Sequence, residues 1–193
     1  MMKARFITSI FFALLMLNPV IAQDKTTVRA NSSDISDNLD LRAVATLFGD
    51  SRDLEDFERR LNDPKSQISN LDLNNDNFVD YLRVIEVVEG NAHIIVIQSV
   101  LGKDLFQDVA SIEVEKDRNN NVTVQVVGDV YMYGPDYIIE PVYVYRPAVV
   151  SYFWGPHYHA WHSPYHWHHY PSYYKAWHPC SPHIYRSNVY AHV

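Results

Sequence analysis

Apolar residues recur every third or fourth position between residues 40 and 61, and every second position after residue 78. The first period is that of a helix and the second that of a strand. In DLRAVATLFGDS, Leu41, Val44, Ala45 and Phe48 fall at i, i+3, i+4 and i+7. Asp40 stands ready as an N-cap and Gly49 where a C-terminal cap belongs, so a short amphipathic helix is predicted. A second helix follows at once. Ser51 can cap it, and Asp53, Glu55 and Asp56 fill its first turn. Leu54, Phe57 and Leu61 make its apolar stripe, and Arg59 and Arg60 sit near its end, the charge order that a helix dipole favours. Asn62-Asp63-Pro64 stops it.

FVDYLRVIEVV and HIIVIQSVL, joined by Glu89-Gly90-Asn91, read as a hairpin rich in β-branched residues. Its second strand is apolar on both faces, which suits a strand with neighbours on either side. ASIEVEK and VTVQVV are separated by Asp117-Arg118-Asn119-Asn120-Asn121, a turn-forming run, and make a second hairpin. Glu113, Glu115, Thr123 and Gln125 leave one of its faces wet. The pattern predicts an α+β domain: two short N-terminal helices, then a mostly antiparallel sheet of about four strands. YMYGPDYIIEPVYVYR has room to add a further strand as the chain leaves the domain.

The two ends of the chain are of another kind. Lys3 and Arg5 precede an apolar run from Phe6 to Leu17, then Asn18-Pro19 and Val20-Ile21-Ala22. This is the pattern of a secretory signal peptide cut after Ala22, and the run is short of the roughly 20 apolar residues of a membrane span. Residues 23–39 are polar and aperiodic, a flexible leader. The expected layout is a signal peptide at 1–22, the leader at 23–39, an α+β domain at 40–146 and a tail at 147–193. The product is expected to be exported, either periplasmic or secreted. Cys180 is the only cysteine, so no internal disulfide forms even where the compartment permits one.

All 23 acids lie between Asp24 and Glu140, against 12 basic residues in the segment from Gln23 to Arg146. An acidic globule without a basic stripe excludes nucleic acid as partner. The tail holds no acid. It carries all four tryptophans, eight tyrosines, nine histidines and six prolines, with almost no aliphatic residue. That composition predicts an extended or disordered segment.

Candidate ion chemistry lies in DLNNDNFVD, residues 72–80. Asp72, Asn74, Asp76 and Asp80 stand at positions 1, 3, 5 and 9, and the Phe78 carbonyl falls at position 7. A chain coiled round calcium, which takes six to eight oxygens, returns one inward at about every second residue. Val79 at position 8 is placed to anchor such a loop. These nine residues resemble the calcium loops of EF-hands, dockerins and the calcium-binding β-loops of exported repeat proteins, and the resemblance implies a ligand set for calcium rather than an activity. Position 6, usually glycine because the turn there is left-handed, is Asn77. Position 12, where an EF-hand has its bidentate glutamate, is Arg83. The shorter pattern closed by Asp80 before a strand fits better, since an extended strand would carry Glu86 some 20 Å from Asp80.

In the tail, His157-x-His159, His166-x-His168-His169 and His178-x-Cys180-x-x-His183 offer ligands for zinc, copper or nickel. The tryptophan and tyrosine rings offer stacking on an envelope glycan, at a membrane surface or on another envelope protein. His93, alone among the strands, is expected to be a packed or edge histidine. With leader, acidic domain and tail together, the chain resembles small exported proteins of Gram-negative bacteria that carry an EF-hand-like loop. The expected function is that of a non-enzymatic, calcium-stabilised binding or scaffold protein of the cell envelope. One alternative is a transition-metal binding or sequestering protein acting through the tail. Another is a hydrolase of envelope polymers, whose carboxylate pair would be made by folding and needs no motif.

Overall fold

A computed structural model of the protein describes residues 37–193, so the expected signal peptide at 1–22 and residues 23–36 of the expected leader lie outside the described residues. Within them the architecture is mixed α and β. Helices α1 (Leu41–Gly49) and α2 (Leu54–Leu61) precede strands β1 (Leu82–Glu89), β2 (Ala92–Gly102), β3 (Leu105–Lys116) and β4 (Val122–Gly128). Then come α3 (Val130–Tyr133), β5 (Ile138–Ile139), α4 (Ala148–Tyr152) and α5 (Pro182–Tyr190). The strands form one sheet in the order β1-β2-β3-β4-β5, each antiparallel to its neighbour. The fifth strand is two residues of the aromatic exit segment, and β2 has a neighbour on each side as its apolar sequence requires.

Asp40 caps α1 as expected, accepting from the Arg42 amide. The cap of α2 is Asp53, which accepts from the Asp56 amide. Ser51 instead donates to the Leu47 carbonyl, because it follows directly on the C-cap of α1 and satisfies a carbonyl of its last turn. One face of the sheet, with Leu82, Val84, Ile95, Ile97, Ala110, Ile112, Val114 and Val126, packs against Leu41, Val44, Phe48, Leu54, Phe57 and Leu61 of the helices. Leu39, placed in the flexible leader by its polar surroundings, is fully buried and bridges to Ser69.

The tail departs most from expectation. Much of it is extended, but it is packed, and the buried core runs on past Arg146 through Val149, Val150, Phe153, Tyr185 and Val189. The reason lies in its alternation. In an extended chain successive side chains face opposite ways, and here Tyr158, Trp161, Tyr165 and Tyr170 are partly buried, whereas His157, His159, His162, His166, His168 and His169 are exposed. The aromatic edge therefore does the work that aliphatic residues do elsewhere.

The path of the tail is a belt. Phe153 stacks on His93 and Phe48. At residues 161–163 the belt pairs with the open edge of β1: the Glu86 amide donates to Trp161 O at 2.8 Å and the Ser163 amide to Val84 O at 3.0 Å. It then passes Tyr81, whose ring meets those of Tyr165, Tyr170 and Tyr174. Helix α5 returns to the start of the domain, where Tyr185 donates to Ile68 O and accepts from the Asp40 amide.

Deleting residues 147–193 removes five core side chains worth about 1.5–3 kcal/mol each. The shortened chain is expected to lose its cooperative urea transition and to bind a hydrophobic dye. A sigmoidal transition with unchanged circular dichroism would show that the remaining domain folds alone.

Candidate functional site

The loop at 72–80 connects α2 to β1 through a run of Asx turns. Asp72 accepts from the amides of Asp76 and Asn77, Asn74 from that of Asp76, and Asp76 from that of Phe78. Asn75 and Asn77 adopt left-handed backbone, φ +59° and +67°. Asparagine is the residue after glycine that tolerates this conformation, so its place at position 6 has a physical reason. Each carboxylate oxygen has two acceptor sites, and one amide uses one of them.

Asp80 faces inward. Its Oδ2 accepts from the Leu73 amide at 2.8 Å and from Ser99 Oγ at 2.9 Å. Burial pushes its carboxyl up, the two hydrogen bonds oppose this, and the negative charges of Asp72 and Asp76 push it further, to about 6. Asn74 ties the loop to the end of β2 by donating to Leu101 O. The belt holds the loop from the other side. The Val79 amide donates to Trp177 O, Tyr174 donates to Val79 O, and His178 meets Asn77 O at 2.6 Å while its ring stacks on Phe78. Val79 is buried, the anchor expected at position 8.

Among the described residues, no three His, Cys, Asp or Glu side chains stand together as a metal-holding group. Asp72 is half-buried and turned to the amides of Asp76 and Asn77, Asp76 is exposed, and Asp80 is turned to Ser99. The tail ligands are scattered along the belt. His159 bonds Tyr152, His166 stacks on His169 across a tight turn, and His168 sits beside Trp167. Cys180 is held by its backbone to Asn70, and His157 and His183 are exposed. The three groups of tail ligands are spread along the belt, and within the middle group His166 and His169 come together without a third ligand.

Two glutamates that the sequence hides are buried and held by several hydrogen bonds each. Glu58 of α2 is 1 % exposed. It accepts from Tyr81 and Ser163 at Oε1, 2.8 and 2.6 Å, and from Trp161 Nε1 and the Val84 amide at Oε2, 2.9 and 3.2 Å. Burial pushes its carboxyl up, and these four donors oppose that. Glu86, on the core face of β1, accepts from His93 and Tyr158 at Oε1 and from the Trp161 amide at Oε2. Both carboxylates thus grip the belt through Trp161, and both are sealed from water, which suits acceptors that fasten the belt and not groups that attack a substrate. Glu58 escaped the sequence reading because a glutamate amid Asp56, Arg59 and Arg60 looks like a solvated helix face. The one available signal was its place at i+4 from Leu54, on the apolar stripe.

No known protein family matches the chain, and no curated protein or solved structure does either.

Glu58→Ala leaves two N–H donors buried without an acceptor and is expected to cost about 3 kcal/mol. Glu58→Gln places its amide oxygen before those N–H groups and its NH₂ before two hydroxyls that can turn to accept, so it should cost far less. Urea titration of both variants checks this, and equal losses would show that the carboxylate is not held by the belt's donors.

The Asp80 carboxyl, at about 6 in the folded protein against an ordinary 3.8, has the raised sign. Its protonated form favours folding, so its contribution is fully present below about pH 4 and is lost as pH rises through 6. Asp80→Asn keeps both hydrogen bonds without the charge. Measured without calcium, its melting temperature should gain on that of the unmodified protein between pH 4 and 7, and parallel curves would contradict the assignment.

Proposed function

We propose that the protein is an exported, non-enzymatic binding or scaffold protein of the cell envelope, stabilised by calcium at residues 72–80. The observation that carries the reading is the left-handed turn at Asn77, the sixth loop position, with Asp72, Asn74 and Asp76 before it and Asp80 closing the loop against the sheet. Asp72, Asn74, Asp76 and Asp80 would hold the ion through side-chain oxygens and Phe78 through its carbonyl. These are hard oxygen donors of the type that calcium takes. The mutual repulsion that Asp72 and Asp76 exert on Asp80 is what a divalent cation would relieve.

The role follows from where the loop sits. It joins α2 to β1, meets the end of β2 and receives the belt at Val79 and Asn77, so an ion there fastens four parts of the chain at one point. The belt in turn displays a row of exposed imidazoles with Trp167 among them, a surface suited to an envelope glycan, a membrane surface or another envelope protein.

Calcium at tenfold its dissociation constant contributes about 1.4 kcal/mol, which for a chain of this size raises the melting temperature by about 3–6 °C. On the order of 1–10 mM CaCl₂ should suffice, since extracellular sites of this kind bind at about 10⁻⁴ to 10⁻³ M. The doubly substituted Asp72→Ala, Asp76→Ala protein should show no rise. If calorimetric titration of the unmodified protein detects no bound ion and its melting temperature stays put, the calcium reading is wrong.

A further inference from the structure

The acidic domain carries one basic cleft. Arg59 and Arg60 at the end of α2, Lys65 in the turn that follows and Lys175 of the belt line a cavity of about 520 Å³, together with Asp63 and Tyr173. Two segments more than a hundred residues apart in sequence, 59–65 and 173–175, meet here, which is why the charge pattern along the chain does not reveal it.

The two arginines are held from behind. Asp56, its side chain fully buried, takes hydrogen bonds from Arg59 and from Nε of Arg60 at 3.1 Å. Burial pushes the Asp56 carboxyl up, and the hydrogen bonds from Arg59, the Arg52 amide and Arg60 overrule it, leaving it at about 2, charged at any ordinary pH. Arg60 binds Asp56 through Nε alone, so its terminal amino groups stay free as a fork of donors. Asp63 is engaged on its own loop, accepting from the Lys65 amide. Among the described residues, neither Lys65 nor Lys175 has a carboxylate partner, and both are exposed.

Four cations thus line the cleft with one carboxylate, Asp63, while Asp56 lies behind the arginines, in a chain of net charge −7. A phosphomonoester carries about −1.5 to −2 at neutral pH, and the guanidinium fork matches two of its oxygens. Tyr173, partly exposed at the cleft, brings a flat ring and a hydroxyl to the same place. That hydroxyl lies 3.4 Å from the hydroxyl of Tyr81, which donates to Glu58, so Tyr173 is positioned from below. A ring of this kind beside a phosphate site is suited to the apolar face of a sugar. The volume lies within the range of small-molecule sites.

We propose that this cleft binds a phosphomonoester dianion, carried on a sugar or on a lipid headgroup. The site is independent of the calcium loop and does not rest on it.

Calorimetric titration of the full-length protein with a hexose 6-phosphate, and co-sedimentation with phosphatidylcholine vesicles doped with phosphatidic acid, test it and separate the two sources. Binding of the soluble sugar phosphate assigns the glycan source, and co-sedimentation alone assigns the lipid. In either case Lys65→Ala with Lys175→Ala should weaken binding at least tenfold while leaving circular dichroism unchanged, and added salt should weaken it further. If neither probe binds, if the double variant binds as tightly, or if the uncharged hexose binds equally well, the proposal is overturned.

Discussion

Two carboxylates buried under the C-terminal belt set the terms for the rest of this structure. A charged glutamate withdrawn from water costs several kcal/mol unless donors replace the lost solvent. Glu58 and Glu86 sit on the apolar side of α2 and on the core face of β1, where the domain supplies only Tyr81, the Val84 amide and His93 as donors. Ser163, Tyr158 and both nitrogens of Trp161 supply the remainder. The belt is therefore a structural requirement of the domain it surrounds. Without it, two buried carboxyl groups would lose most of their donors and the edge of β1 would be open to pairing with another chain.

A segment with almost no aliphatic residues can serve this way because it needs only one buried edge. Tyr158, Trp161, Tyr165, Tyr170 and Tyr174 bring large apolar rings, and each polar tip finds a partner or the surface. Pro164, Pro171 and Pro179 restrict the irregular backbone and remove amide donors that such a segment could not satisfy. The imidazoles fall on the outer edge by the same period of two. Their exposure is thus a geometric consequence of burying the aromatic edge, and it separates the two chemistries of the tail: rings hold it down, and imidazoles meet what lies outside.

Loop 72–80 and the basic cleft both lie where the belt crosses the domain. At the first, Trp177, His178 and Tyr174 touch the loop backbone. At the second, Tyr173 and Lys175 complete a cavity begun by α2. The four residues from Tyr174 to Trp177 thus span the distance between a negatively charged bend and a positively charged hollow. A cation at the proposed first site and an anion at the proposed second would act on neighbouring points of one strap.

Local periodicity and local donors were enough for the stripes of α1 and α2, the Asp40 cap, the alternating strands, the turn at 117–121, and the left-handed demand at Asn77. Each of these is decided within a few residues, by side-chain spacing or by one backbone angle. Tertiary structure alone decided which way the polar groups face. Glu58 reads as solvated beside Arg59 and becomes a buried, four-fold acceptor because Ser163 and Trp161, more than a hundred residues later, arrive over it. The alternation of histidine with aromatic residues was present in the tail from the start. It acquired the sense of an inside and an outside once β1 offered an unpaired edge, and hydrogen bonding across that edge, unlike periodicity, leaves no trace in neighbouring residues.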